Sequence, residues 1–161
     1  MTPTQWFRGL LSLLLFSGLL AGCAAMEPER APSLYQRFQV KDGTGTLRGG
    51  RDAIALVVDD FVVNVVADGR IKARFAGLQP ARVAQFKSRL SDQICEASGG
   101  PCGYYGGSMK DVHKGMKITD AEWTATVEAL VKAMDKYKIG AKEKAELLAA
   151  LGPMKKDIVG Q

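Results

Sequence analysis

Few residues in this chain could bind a metal or attack a substrate: one histidine, His113, and three cysteines, Cys23, Cys95 and Cys102, among 161 residues. A structural zinc site takes about four Cys or His ligands, and with Cys23 claimed by the N-terminal motif described below the set is too small. Covalent cofactor attachment through C-x-x-C-H is excluded because Asp111 and Val112 precede His113. Ser108 lacks the full flanking pattern of a nucleophile elbow, since Lys110 stands where the second glycine would be. The glycine run "GTGTLRGG" at 43–50 misses the dinucleotide-binding spacing by one residue and has no strand before it. Neither hydrolase nor dinucleotide chemistry survives, and the remaining chemistry is that of a single imidazole.

Elements that would position it follow from apolar spacing. From Asp52, the residues Ile54, Val57, Val58, Phe61, Val62, Val65 and Val66 recur at helical spacing, and the many valines do not change that period. Gly69 is expected to end this helix in the left-handed conformation, and a short segment, 70–75, follows. Pro80 suits a first helical turn, after which Val83, Phe86, Leu90 and Ile94 share one face as far as "SGGP" at 98–101. Thr119 and Glu122 form a capping-box pattern, so a helix starts there and buries Trp123, Val127, Leu130, Val131, Met134 and Tyr137 before Gly140. A last helix spans 141–151, with Leu147, Leu148 and Leu151 inward and "GP" at its end. Nothing reads as a strand, and the predicted fold class is all-α.

His113 thus falls on a short helical segment between a glycine-rich loop and a capped helix, opposite several apolar helix surfaces. A buried structural histidine fits that pattern. So does a haem ligand, because one imidazole nitrogen can bond iron while aromatic and aliphatic side chains cover the macrocycle. The order of the surrounding residues separates the two. "SLYQRF" (33–38), "VVDDFVVNVVADGRIKARFAG" (57–77), "GGPCGYYGGSMKDVHKGMKIT" (99–119) and "LLAALGPMKKDIV" (147–159) together resemble a group I truncated haemoglobin. The most specific block is G-G-P-C-x-Y-x-G-x-x-M-x-x-x-H. The resemblance implies a two-over-two helical sandwich around a b-type haem. It makes His113 the proximal iron ligand, Phe75 the phenylalanine on the haem face, Met109 a haem contact one turn before the ligand, and Tyr104 the tyrosine of the preceding loop.

The chain departs from the family on the expected distal side. Many members carry a tyrosine directly after the phenylalanine of the "DDF" helix, donating a hydrogen bond to bound dioxygen; here Phe61 is followed by Val62. About three extra residues between Phe75 and Gly99 leave two registers for the next helix. Counting back from Gly99 brings Phe86 and Leu90 to the pocket and leaves it apolar. Counting forward from Phe75 brings Val83 and Lys87 there, with Lys87 a donor or a sixth iron ligand. The helical stripe favours the first. Arg89 is a candidate partner for a haem propionate, since guanidinium suits carboxylates; an ordinary exposed arginine is the alternative. Cys95 and Cys102 flank "EASGGP" and either form a disulfide, as an oxidising compartment allows, or remain small apolar side chains.

Residues 1–22 read as a secretory signal, with Arg8 ahead of an apolar run from Leu10 to Leu20. "LAGC" resembles the bacterial lipoprotein cleavage motif, which makes Cys23 the acylated mature N-terminus and 23–32 a tether to a domain at 33–161. Ala24 in place of aspartate favours the outer membrane, facing the periplasm. Arg8 is the one charged residue of 1–22, so its removal lowers the formal net charge only from +5 to +4. The lysines are scattered without a nucleic-acid motif, and no nucleic-acid partner is expected. The expected activity is reversible binding of a small gas (oxygen, nitric oxide or carbon monoxide), with iron reduced by an electron donor the sequence does not name. A nitric oxide dioxygenase or peroxidase-like enzyme is the alternative, weakened by the missing tyrosine and the lack of a fused reductase.

Overall fold

A computed structural model describes residues 30–161; the expected signal segment and Cys23 lie outside these residues. Helix α1, Leu34–Arg37, opens with a capping box in which the Ser33 hydroxyl accepts from Gln36 N and the Gln36 side chain accepts from Ser33 N. Strands β1 (Gln39–Lys41) and β2 (Leu47–Gly49) form an antiparallel hairpin. Five helices follow: α2 (Gly50–Ala67), α3 (Pro80–Ala97), α4 (Met109–His113), α5 (Asp120–Lys136) and α6 (Ala141–Leu151). Two 3-10 segments, Lys72–Arg74 and Gly152–Asp157, complete the order.

Helix α2 is the centre of the packing, lying against α3 on one side and α5 on the other, while α6 closes on α1, α3 and α5. The pairs α2/α3 and α5/α6 make the expected two-over-two sandwich. Ile54, Val57, Val58, Phe61, Val62 and Val65 of α2 are buried with Ile94, Met134 and Leu147 from its neighbours. Each such side chain contributes roughly 1.5–3 kcal/mol on burial, which is why the helical period overrides the strand preference of valine. Ion pairs pin the seams. Arg51 binds Asp92 at 2.8 Å and Lys87 binds Asp59 at 3.0 Å between α2 and α3, and Arg37 of α1 reaches Glu143 of α6 at 2.6 Å.

Four details differ from the sequence expectations. The hairpin contradicts a strandless chain: Val40 is buried between exposed Gln39 and Lys41, and the turn is knitted by Asp42 Oδ1, which accepts from Thr44 N and Thr46 N at 2.9 and 3.0 Å. Val66 is 46% exposed, because one turn beyond Val62 the stripe has rotated off the α3 and α5 contacts. Helix α2 is closed by Asp68, whose carboxylate accepts from Arg70 N, and Gly69 is not left-handed. At the end of α5 the left-handed residue is Lys138, at φ 55°, and Gly140 instead begins α6 with extended backbone.

Tyr35 joins the N-terminal segment to the turn after α3. Its N–H donates to Ser98 O at 2.8 Å, and its ring covers Gly100 so closely that an added Cβ would lie 2.5 Å from it. The same Cβ would lie 2.6 Å from Cys95 Sγ. Only glycine fits there, and it brings the chain leaving α3 into the course that leads to α4.

Candidate functional site

Helix α4 exists because its start is capped twice: the Ser108 hydroxyl accepts from Asp111 N at 3.1 Å and donates to Asp111 Oδ2 at 2.6 Å. His113 is its last residue and is half-buried. Nδ1 of the ring lies 2.7 Å from the Met109 carbonyl oxygen. A carbonyl only accepts, so Nδ1 carries the proton and donates. The lone pair is therefore on Nε2, the tautomer and orientation that ligating histidines adopt.

Met109 lies one turn before His113 and on the same face of α4. Its sulfur is 3.3 Å from Gln93 Nε2, and the sulfur of Met154 is 3.2 Å from the same amide. Gln93 thereby ties α3, α4 and the segment 152–157 together, and it fixes the His113 face toward α3. Sequence reasoning missed Gln93, although its spacing of three from Leu90 and seven from Phe86 places it on their stripe.

On that stripe Val83, Phe86 and Leu90 pack against the core while remaining half-buried. Phe86 meets Phe75 edge to face, with ring centroids 5.6 Å apart at 63°. Lys87 turns to Asp59 on α2, so the side chains beside Phe75 are those of the apolar register. Phe61 and Val62 are buried on α2, at 4% and 6% exposure, and Val62 offers no hydrogen-bond donor. The Tyr104 hydroxyl donates to Gly107 O at 3.1 Å and braces its own loop. Arg89 is exposed and makes no ion pair among the described residues. Cys95 and Cys102 form a disulfide, with Cα atoms 5.8 Å apart, that shortens the path from α3 to the His113 loop.

Arg74, just before Phe75, was not anticipated. Its Nη1 donates to Met116 O at 2.8 Å, and its Nε and Nη2 grip the Glu122 carboxylate at 2.6 and 3.1 Å. Met116 N in turn donates to His113 O at 3.0 Å. The Arg74 guanidinium, and after it the Thr119 N–H, lowers the Glu122 carboxyl to about 2.

The residues present fit a haem. A free imidazole nitrogen shares its face with Met109, which Gln93 ties to α3, and on α3 Phe86 and Leu90 form with Phe75 an apolar wall only half-covered by protein. An open groove lined by Val66, Lys72, Ala73, Phe75 and Ala76 continues from that wall. Large apolar side chains left half-exposed on a core-facing stripe are surface that a flat apolar group would cover.

Comparison with known proteins agrees. The family profile of the bacterial-like globins matches residues 47–159. A group 1 truncated hemoglobin of Mycolicibacterium paratuberculosis is 31% identical over 110 residues, spanning 68% of this chain and 79% of that one. A group 1 truncated hemoglobin of Tetrahymena thermophila is 26% identical over 113 residues, 70% of this chain and 91% of its own. Among solved structures, the truncated hemoglobin of Tetrahymena pyriformis in its Fe(III) form superposes with a TM-score of 0.68 at 22% identity, covering 81% and 100% of the two chains. The 2/2 hemoglobin of Synechococcus sp. PCC 7002, in the cyanomet state with covalently attached heme, gives 0.67 at 25% identity, covering 80% and 98%.

Proposed function

The chain belongs to the bacterial-like globin family as a haem-binding truncated globin of group I, and from that premise we propose that it reversibly binds a diatomic gas at a b-type haem iron ligated by His113. The observation that carries this reading is the His113 ring: Nδ1–H is spent on the Met109 carbonyl at 2.7 Å, and Nε2 is left with a free lone pair. When bound, the haem supplies an iron with one open position for a gas. Everything else is done by side chains. His113 would hold the iron, and its hydrogen bond to Met109 O fixes the ring plane. Phe75, Phe86 and Leu90, with Phe61 and Met109, would exclude water from the macrocycle. Arg89, exposed and without an ion pair among the described residues, would be a cation for a propionate.

Val62 and Phe86 would bring no hydrogen-bond donor to a gas held beside them, so a polar ligand would gain no stabilisation from this lining. The same apolar lining supports gas binding over a peroxidase-like reaction, which needs a polar group to move protons at the bound oxygen. An electron donor from outside the chain would return the iron to the ferrous state. Lipid attachment through Cys23, placing the globin on the periplasmic face of the outer membrane, is part of the proposal and rests on the "LAGC" motif at 20–23.

The test is an absorption spectrum of the chain from residue 24, reconstituted with haem, beside His113→Ala. A Soret band in the parent that weakens or shifts in the variant is expected. No stoichiometric uptake by the parent would remove the function and leave the fold. A low-spin parent would bring Lys87 back as a sixth ligand.

A further inference from the structure

We propose that Arg74 is the positioning residue that sets the distance between the two walls of the haem slot, an inference that rests on the haem-binding reading above. Phe75 lies on a loop held mainly by its own short-range bonds: Ile71 N to Asp68 O, Phe75 N to Lys72 O and Leu78 N to Phe75 O. The groove along Val66, Lys72, Ala73, Phe75 and Ala76 leaves that loop open on one side. Packing alone therefore holds Phe75 weakly. One tie to α5 is the exposed Arg70–Glu128 pair at 2.6 Å; Arg74 supplies the other, and it alone also reaches the segment that carries the iron ligand.

The tie has three bonds from one planar group to two acceptors. Glu122 receives two of them, and it is already immobilised because its Oε2 accepts from Thr119 N at 2.8 Å and from Thr119 Oγ1 at 3.0 Å. Its side chain is 12% exposed, against 32% for Arg74. The third bond lands on Met116 O, in the turn whose N–H returns to His113 O. Phe75 and His113 are thus linked through a single side chain and two backbone steps, with α5 as the fixed base. A fork geometry is needed to reach a carboxylate and a carbonyl together, and a lysine ammonium on a flexible stem does not reproduce it.

The experiment compares full-length holoprotein with Arg74→Leu, Arg74→Lys and Glu122→Gln. Hemin transfer to apomyoglobin and the iron–histidine stretching band of the ferrous form are followed by absorption and resonance Raman spectroscopy. Amide hydrogen exchange of residues 113–119 is measured in the haem-free protein. Arg74→Leu should lose hemin about tenfold faster, as loss of the one charge-assisted bond that reaches the His113 turn, that to Met116 O, implies, with a shifted iron–histidine band and faster exchange. Arg74→Lys should recover only part of each. An Arg74→Leu protein with parental far-UV circular dichroism, hemin loss and Raman band overturns the proposal. If that variant does not fold, parental values in Arg74→Lys do the same. A parent that takes up no haem overturns the haem-binding reading and this proposal with it, whereas a haem-loaded parent matched by its variants overturns this proposal alone.

Discussion

At the scale of single residues, the pocket's chemistry turns on what Val62 lacks. A Val62→Tyr variant places a hydroxyl where the family commonly has one, and a hydrogen bond in a dry pocket is worth about 1–3 kcal/mol. Oxygen release followed by stopped flow should slow by about tenfold or more; an unchanged rate would mean that residue 62 does not face the gas. Glu122 gives a second test. Its carboxyl sits at about 2 instead of 4.5 because Arg74 and the Thr119 N–H favour the charged form. A depressed folded value means that stability is fully present above the unfolded value and drains away as pH falls from about 4.5 toward 2. The melting-temperature difference between the parent and Glu122→Gln should therefore shrink between about pH 6 and pH 3; a constant difference would show that the ionised carboxylate contributes nothing. The short helix that carries His113 was legible in the sequence because the glycine loop before it and the capping box after it are contiguous with it. Arg74 was not, because its acceptors lie 42 and 48 residues away and nothing local distinguishes it from Arg70 or Arg82.

At the scale of elements, helices α2, α3, α5 and α6 were readable from apolar period, and the starts of α3 and α5 from Pro80 and the Thr119–Glu122 box. Those signals lie within one or two turns of chain. The hairpin escaped because three-residue strands give period two almost nothing to repeat over. The helix end at Lys138 escaped because a lysine there takes the left-handed position usually given to glycine in a Schellman cap, with Ile139 N donating to Met134 O at 3.1 Å and Lys138 N to Asp135 O at 2.9 Å. Helix α4 depends most on its connections, being five residues long. Its approach is shortened by the Cys95–Cys102 disulfide, with a sequence separation of 7. Removing a cross-link over so short a loop costs roughly 2–3 kcal/mol in the chain-entropy account. Cys95→Ala with Cys102→Ala should lower the denaturation midpoint accordingly and speed hemin loss. Unchanged values for both would show that Tyr35 and Gly100 hold this turn without the bridge.

At the scale of the whole molecule, the half-covered wall makes folding and haem binding one equilibrium. The deep core of α2, Ile94, Met134 and Leu147 is complete in the protein itself, whereas Phe75, Phe86, Leu90 and Met109 bury only part of their surface. Haem binds the folded chain and not the unfolded one, so it stabilises by about 2.7 kcal/mol when free haem is at 100 times its dissociation constant. For a domain of this size that corresponds to a rise in melting temperature on the order of 10 °C. The gain should have two separable parts. His113→Ala removes the iron bond and leaves the apolar contacts, so the variant should keep a reduced rise. Zinc or metal-free protoporphyrin should also raise the melting temperature of the parent, because the wall does not distinguish the metal. If metal-free protoporphyrin gives no rise while haem does, the apolar wall contributes little and the iron–His113 bond alone couples ligand to fold. If His113→Ala rises as much as the parent, the wall carries the binding and the imidazole serves only to poise the iron.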